Sequence, residues 1–178
     1  MITRRDFLKS MAVASAGLAL TPSEFIQAQN AKTRYKAGKV KIAYVGIGNR
    51  GEQIIQEFAK TDMVEVVALC DVDMGNKQTQ KVMNMYPKAK RFRDFREMFD
   101  KCGNEFDAVA AAVPDFIHFP IAMLAMAEGK HIYIEKPMCR TFHEGELLIQ
   151  AAKKHPNLAT QVGNQGHSEA NYFQFKAW

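Results

Sequence analysis

Apolar and amphipathic segments alternate along the chain between residues 40 and 162. The apolar runs are short and nearly continuous, which is typical of strands buried on both faces of a parallel sheet. The segments between them repeat apolar positions at helical spacing, as in helices that pack one face against a sheet. The predicted strands are 40–45, 64–69, 90–92, 106–113, 131–134 and 158–162, and the predicted helices are 51–60, 73–85, 95–101, 117–128 and 142–154. Strands that alternate with helices predict a doubly wound parallel α/β sheet with right-handed crossovers.

Local capping and breaking residues set several of the expected boundaries. Asp73 and Asp94 stand at the expected starts of the second and third helices, where a carboxylate can accept the free N–H groups. Pro114 ends the fourth strand, and Gly129 closes the helix that follows it. Methionines such as Met126 fall in the helices and are interpreted as core filler rather than as ligands.

The first 28 residues differ from the rest of the chain. Arg4 and Arg5 precede Phe-Leu-Lys, an uncharged stretch runs from Met11 to Leu20, and Ala28 ends a candidate cleavage site. A basic start, a short apolar region and a small residue at the cut indicate a secretory signal, and the paired arginines resemble the twin-arginine (Tat) signal. We therefore predict a signal peptide at 1–28, the Tat export machinery as a partner, and a periplasmic or extracytoplasmic location. The polar residues 29–38 are interpreted as a linker.

Composition and charge narrow the function classes. Of 178 residues, 47% are hydrophobic and 24% are charged, which is ordinary for a globular domain. The net charge is +5, of which three basic and two acidic residues in the first 28 contribute +1, leaving +4 that is scattered rather than clustered. This distribution argues against nucleic-acid binding. Cys70, Cys102 and Cys139 are odd in number and widely spaced, so neither a metal site nor a disulfide framework is predicted.

The turn Gly46-Ile47-Gly48-Asn49-Arg50-Gly51 follows the first predicted strand and opens the first predicted helix. This is the G-x-G-x-x-G pattern of dinucleotide-binding Rossmann domains. In that pattern the first glycine permits the tight turn, the second lets the backbone approach a pyrophosphate, and the third lets the helix pack closely on the strand. The N–H groups at the helix start then face the anion. Arg50 either adds a charged contact to the phosphates or faces solvent, and the sequence leaves both interpretations open.

Asp71 ends the second predicted strand, twenty residues after Gly51. An acid at this place accepts hydrogen bonds from the adenosine ribose hydroxyls and repels a 2′-phosphate, which favours NAD over NADP as the cofactor. The alternative is that Asp71 caps the next helix.

The tripeptide Glu135-Lys136-Pro137 directly follows the fifth predicted strand. Ligands of open α/β sheets bind beyond the carboxyl ends of the strands, so Lys136 is expected at the cofactor crevice. A lysine there can donate to a substrate hydroxyl or carbonyl and assist proton movement during hydride transfer. The alternative is an ordinary surface lysine.

In this order, the glycine turn, Asp71, Pro114 with His118, and Glu135-Lys136-Pro137 resemble the glucose–fructose oxidoreductase / inositol dehydrogenase (Gfo/Idh/MocA) family over residues 39–163. The resemblance implies NAD(P) at the glycine turn and the second-strand acid, and a sugar or cyclitol as substrate. It implies a catalytic Lys136 beside the nicotinamide. It also implies that Val113, Pro114, His118, Glu135 and Pro137 line the cofactor pocket. A cap at the helix start is the alternative for His118.

Residues 161–168 read Gln-Val-Gly-Asn-Gln-Gly-His-Ser. The family crosses here into a second α/β domain, often with an asparagine and an arginine near the substrate. Asn164 matches the asparagine, whereas Gln165 and His167 stand where the arginine is usual, and all three are candidate substrate contacts. We predict that 164–178 begins a truncated second domain. The chain would then hold the cofactor half, with further catalytic residues beyond Trp178 and a homo-oligomer only for a full-length form.

Three functions are compatible with these residues. The first is an NAD-dependent oxidoreductase that moves a hydride between a sugar or cyclitol carbinol and nicotinamide. The second is a glycosidase that uses NAD for transient redox with no net NADH. The third is a non-catalytic nucleotide- or sugar-binding fragment.

Overall fold

The computed structural model describes residues 38–167 and 170–177. The predicted signal peptide and all but the last residue of the predicted linker lie outside the described residues. The strands of the described part are β1 Val40–Val45, β2 Val64–Cys70, β3 Lys90–Phe92, β4 Ala108–Ala111, β5 His131–Glu135 and β6 Thr160–Gly163. Its α-helices are α1 Arg50–Lys60, α2 Lys77–Met85, α3 Phe95–Cys102, α4 Asp115–Ala127, α5 Phe142–Lys154 and α6 Ala170–Ala177.

The strands form one parallel sheet in the order β3-β2-β1-β4-β5-β6. This is the doubly wound arrangement that the alternating pattern predicts, and the predicted fold class is confirmed. The strand order reverses between β1 and β4. The carboxyl ends of these two strands therefore flank a crevice, which is where open α/β sheets bind ligands.

The register brings the chemically distinctive residues to one edge of the sheet. Cys70, the last residue of β2, pairs with Val45 on one side and Phe92 on the other. Val45 also pairs with Ala111, which pairs with Ile134. The residues that follow each strand therefore emerge together at the carboxyl edge. The chain segments that converge there are 46–51, 71–73, 93–96, 112–117 and 135–137.

Two apolar clusters cover the two faces of the sheet. One packs α3, α4 and α5 against it and contains Met126, which is buried as predicted for core filler. The other packs α1 and α2 and contains Tyr44 and Ile55. Cys70 and Cys102 are buried in the first cluster, and all three cysteines of the chain are free thiols. Among the described helices, none is long and apolar enough to cross a bilayer.

The predicted start of the second helix is wrong. It begins at Lys77 rather than at residue 73, and its cap is Asn76, whose side chain accepts the N–H of Gln78 at 2.9 Å. Asp73 instead accepts the N–H of Gly75 at 3.2 Å. The reason is that Asp and Asn both hydrogen-bond to a backbone N–H two residues ahead, and the first such residue here makes a turn rather than a cap.

Two strand predictions also need correction. β4 covers Ala108–Ala111 rather than 106–113, because a 3₁₀ turn at Gly103–Glu105 precedes it and α4 begins directly after Pro114. β6 starts at Thr160, since the N–H of Leu158 is donated to the His155 carbonyl in a turn. α4 begins at Asp115, two residues before its predicted start at 117. The other predicted elements lie within one residue of the observed bounds, and Asp94 caps α3 as predicted, accepting the Arg96 N–H at 2.9 Å.

Candidate functional site

Gly46 and Gly51 are required by the packing of the turn between β1 and α1. Gly46 has φ +76°, and a Cβ at this position would lie 2.2 Å from the Ala112 carbonyl oxygen. A Cβ on Gly51 would lie 1.9 Å from the carbonyl oxygen of Gly46. No side chain larger than hydrogen fits either place unless the backbone moves. The turn is therefore held between the start of α1 and the loop that follows β4.

Gly48 is different, because the protein itself leaves room for a side chain there. A Cβ on Gly48 would meet Thr79 Cγ2 at 3.5 Å and Gln78 Oε1 at 3.9 Å, both ordinary van der Waals distances. Asn49, the N-cap of α1, has φ +44° and makes no side-chain cap. The Gly51 N–H is donated to the Gly48 carbonyl at 2.8 Å, and among the described residues no side chain caps the other N–H groups of the first turn at the rim of the crevice. An open approach to uncapped N–H groups suits an anion.

Asp71 binds the glycine turn itself. Its Oδ2 accepts the N–H groups of Ile47 at 2.9 Å and Gly48 at 3.4 Å, and its Oδ1 accepts the N–H of Asp73 at 2.9 Å. It does not cap α2, so the helix-cap alternative is wrong. The carboxylate ties the end of β2 to the turn after β1, which the sequence argument did not anticipate.

A cleft of about 630 Å³ opens at this edge, within the usual range for small-molecule sites. It brings together most of the residues predicted for the adenosine and pyrophosphate part of a cofactor: Gly46, Gly48, Asn49, Arg50, Asp71, Val113 and Pro114. Ile47 lies buried beneath the turn. Two exposed apolar side chains, Val72 and Phe116, also line the cleft and give it apolar walls.

Glu135 lies buried beside the cleft at the end of β5 and accepts three side-chain donors. Its Oε1 is 3.2 Å from Arg50 Nε and accepts the Tyr133 hydroxyl at 3.2 Å. Its Oε2 accepts Gln165 Nε2 at 3.3 Å. Arg50 therefore does not simply face solvent, because it pairs with Glu135. Gln165, predicted as a substrate contact, contacts Glu135 as well.

The surroundings of Glu135 are closely packed. A Cβ on Gly163 of β6 would lie 2.7 Å from Glu135 Oε1 and 2.2 Å from the Tyr133 hydroxyl. Burial, and secondarily the negative charge of Glu135, raise the pKa of Tyr133 above its ordinary value. Tyr133 therefore remains a neutral hydrogen-bond donor across the physiological range.

His118 lies inside the first turns of α4 and is fully buried. Its Nδ1 is 2.5 Å from the carbonyl oxygen of Pro137, which fixes Nδ1 as the protonated nitrogen because a carbonyl only accepts. Its Nε2 is buried and has no hydrogen-bond partner among the described residues. Pro114 holds the N-cap position of α4, so the cap alternative for His118 is wrong.

Lys136 is exposed at the carboxyl end of β5, and Pro137 follows it through a cis peptide bond. Within the described part of the chain, Lys136 makes no ion pair. Neither Lys136 nor His118 lines the 630 Å³ cleft, so the predicted cofactor residues divide into two neighbouring groups. Asn164 is exposed after β6, and the His167 side chain lies outside the described residues.

The sequence argument missed several cleft residues. Thr79 and Gln78 belong to the start of α2, and Gln78 accepts the N–H of Asn49 at 3.1 Å. Arg93 follows β3 and reaches the cleft because β3 pairs with β2 in register. The only available signal was positional, since both segments follow strands that end at the same edge. Within 38–167 and 170–177, no group of three or more metal-binding side chains is present.

Comparison with known proteins gives a family match over residues 40–164, to the model GFO_IDH_MocA, described as an oxidoreductase family with an NAD-binding Rossmann fold. Residues 1–21 match the twin-arginine translocation signal, which marks the chain for export out of the cytoplasm. A glycosyl hydrolase family 109 protein of Shewanella sp. ANA-3 is 28% identical over 169 residues, covering 84% of this chain and 37% of that protein. An alpha-N-acetylgalactosaminidase of Bacteroides fragilis is 31% identical over 121 residues, covering 65% of this chain and 28% of that protein.

Solved structures support the fold. A dehydrogenase from Chromobacterium violaceum superposes with a TM-score of 0.69 at 26% identity, covering 79% of this chain and 40% of that one. The scyllo-inositol dehydrogenase of Lactobacillus casei, solved with NAD(H) and scyllo-inositol, superposes with a TM-score of 0.67 at 24% identity over 78% of this chain and 40% of that one. The chain thus spans about 28–40% of the length of these four proteins.

Proposed function

Since the chain belongs to the Gfo/Idh/MocA oxidoreductase family, we propose that it carries the NAD-binding half of an exported enzyme that acts on a sugar or cyclitol. The observation that carries this proposal is the glycine turn with Asp71 at the mouth of the cleft. The turn is fixed by packing at Gly46 and Gly51 but left open at Gly48.

The residues present fit a dinucleotide. The space over Gly48 and the uncapped start of α1 can hold a pyrophosphate, with Arg50 lining the same cleft. Asp71 keeps one acceptor site on Oδ1, because each carboxylate oxygen has two lone pairs and Oδ2 already accepts two N–H groups. It is suited to bind a ribose hydroxyl. A carboxylate there disfavours a 2′-phosphate, and we therefore propose NAD rather than NADP.

The nicotinamide, when bound, supplies the acceptor for a hydride from a carbinol carbon. In the proposed reaction Lys136 is the catalytic residue of this half. Its exposed ammonium, unpaired within the described residues, can hydrogen-bond the reacting oxygen and take part in its proton transfer. His118 holds the segment that carries Lys136, through its hydrogen bond to Pro137. Asn164, and His167 beyond it, are proposed substrate contacts.

A second candidate is a glycosidase that oxidises a sugar carbon, eliminates the glycosidic leaving group, adds water and reduces the carbon again. The names of the curated relatives, glycosyl hydrolase family 109 and alpha-N-acetylgalactosaminidase, favour it. The same NAD-binding half and the same lysine serve both candidates, because both begin with oxidation of a carbinol. They differ in whether NADH accumulates.

Calorimetric titration of the purified chain with NAD tests the shared part of the proposal. Gly48→Ala should weaken NAD binding by at least about tenfold, equal to about 1.4 kcal/mol, because the methyl group occupies the pyrophosphate approach. The thermal midpoint should stay unchanged, since nothing in the fold is displaced. Gly103→Ala is the matched control, at a helical φ of −53° with no neighbour within 4 Å. Parental NAD affinity in Gly48→Ala would contradict the proposed site.

Turnover separates the candidates. NADH formation with inositols or free sugars supports the oxidoreductase, and release of p-nitrophenol from p-nitrophenyl α-N-acetylgalactosaminide without NADH supports the glycosidase. NAD binding with neither activity supports a non-catalytic binding fragment.

A further inference from the structure

We propose that Arg50 binds the pyrophosphate while it remains paired with Glu135, and that Glu135 is a positioning residue rather than a cofactor ligand. The inference rests on the proposed function. One ion pair, Arg50–Glu135, joins the glycine turn to the end of β5, which Lys136 follows.

The guanidinium of Arg50 has N–H groups that no acceptor among the described residues binds. Of its five N–H groups, Nε binds Glu135 at 3.2 Å and one Nη1 N–H binds Gln53 at 2.9 Å. The side chain is 39% exposed and lines the cleft. The remaining N–H groups can therefore reach an anion lying over Gly48 without release of the carboxylate. The rigid fork of a guanidinium allows this double contact, and the point charge of a lysine does not.

The carboxylate of Glu135 is less available to a ligand than the guanidinium of Arg50. Its side chain is only 5% exposed, and its two oxygens accept Arg50, Tyr133 and Gln165. Removing the partner of a buried ion pair is costly, and Arg50 is the cation that contacts Glu135 within the described residues. Glu135 does not line the cleft and three protein donors already bind its oxygens, so it acts on the cofactor through the guanidinium that it orients.

The Arg50–Glu135 ion pair also connects two elements that are distant in the sequence. Arg50 begins α1, and Glu135 ends β5 and is followed at once by Lys136. The contact therefore links the predicted phosphate site to the predicted catalytic lysine across the point where the strand order reverses, between β1 and β4. Gln165 extends the link to the segment that follows β6.

The experiment measures the affinity of the chain for ADP, which has the pyrophosphate without the nicotinamide. The variants are Arg50→Gln, Arg50→Lys, Glu135→Gln and the double variant Arg50→Gln/Glu135→Gln. Lys81→Gln and Glu52→Gln form the matched control, because that ion pair also joins an exposed cation to a largely buried glutamate but lies on α1 and α2 away from the cleft. Binding is titrated at several salt concentrations and well below each thermal midpoint.

We expect Arg50→Gln to weaken ADP binding about tenfold at low salt and to flatten the salt dependence, since one phosphate-directed charge is lost. Arg50→Lys should lose most of the same affinity. Glu135→Gln should lose about threefold to tenfold, and the double variant should bind like Arg50→Gln alone, because the two residues act as one unit. The control variants should bind ADP like the parent.

Three results would contradict different parts of this proposal. Parental ADP affinity in Arg50→Gln and Arg50→Lys, measured where both variants are folded, would overturn the phosphate contact. Additive losses in the double variant, with the salt dependence of Glu135→Gln unchanged from the parent, would reduce Glu135 to a structural role. Failure of the parent to bind ADP or NAD would instead overturn the proposed function.

Discussion

The turn region, Gly46–Gly51 with Asp71, and the lysine region, His118 with Glu135–Pro137, lie at the same edge of the sheet but are built differently. In the turn region the geometry is set by the backbone, since two glycines are packed against carbonyl oxygens and Asp71 accepts three N–H groups. In the lysine region it is set by side chains. There, His118 Nε2 has no partner, and Lys136 is unpaired, among the described residues.

This difference teaches where each region can tolerate change. A site that binds an invariant part of a cofactor benefits from a rigid backbone, because preorganised donors lose little entropy on binding. A site that moves protons needs a group free to contact the reacting atoms. The turn region is therefore expected to respond to substitution through folding and binding together, and Lys136 through chemistry with little change in stability.

The largest expected effect is on the turn region. Gly51→Ala places a methyl group 1.9 Å from the Gly46 carbonyl oxygen, so the turn and α1 must separate. We expect the free energy of unfolding, measured by urea denaturation, to fall by about 3 kcal/mol, the upper part of the range for overpacking. NAD binding should be lost as well. A Gly51→Ala chain as stable as the Gly103→Ala control would show that the turn is not held by packing.

A smaller effect is expected at His118. His118→Phe removes the hydrogen bond to Pro137 but also removes the unpaired Nε2, so the change in unfolding free energy should stay below about 1 kcal/mol. His131 offers a matched comparison, because its Nδ1 accepts the Ala159 N–H at 2.9 Å. His131→Phe removes that acceptor without such a gain, and should cost about 1 kcal/mol. A loss above about 2 kcal/mol for His118→Phe would indicate that both ring nitrogens are bonded.

The smallest expected effect on stability is that of Lys136→Met. An exposed side chain without a partner in the described residues should contribute less than about 0.5 kcal/mol to the free energy of unfolding. The NAD dissociation constant should change less than about threefold, well under 1 kcal/mol. Any turnover found with a sugar or cyclitol should fall at least about a hundredfold, within the range for general acid–base groups. Undiminished turnover would exclude the catalytic role.

The sequence predicts the turn region well because its signals are local. The glycine spacing, the preceding strand and Asp71 twenty residues later define one βαβ unit, and such units have a fixed handedness. What it could not predict depends on register. Arg93 reaches the cleft through strand pairing, and the Glu135–Gln165 contact joins residues thirty positions apart with no shared pattern. The misplaced start of α2 has a third cause, since Asp73 and Asn76 have the same capping chemistry.

The burial of Cys70 lowers the reactivity of its thiol after export. Burial, with the nearby Asp71 charge second, raises the pKa of the Cys70 thiol to about 12. At neutral pH the Cys70 thiol is therefore protonated, and the thiolate is the form that attacks disulfides. Cys102 is buried too, and burial also raises its pKa. Both thiols are therefore poor nucleophiles in the compartment to which the twin-arginine signal directs the chain.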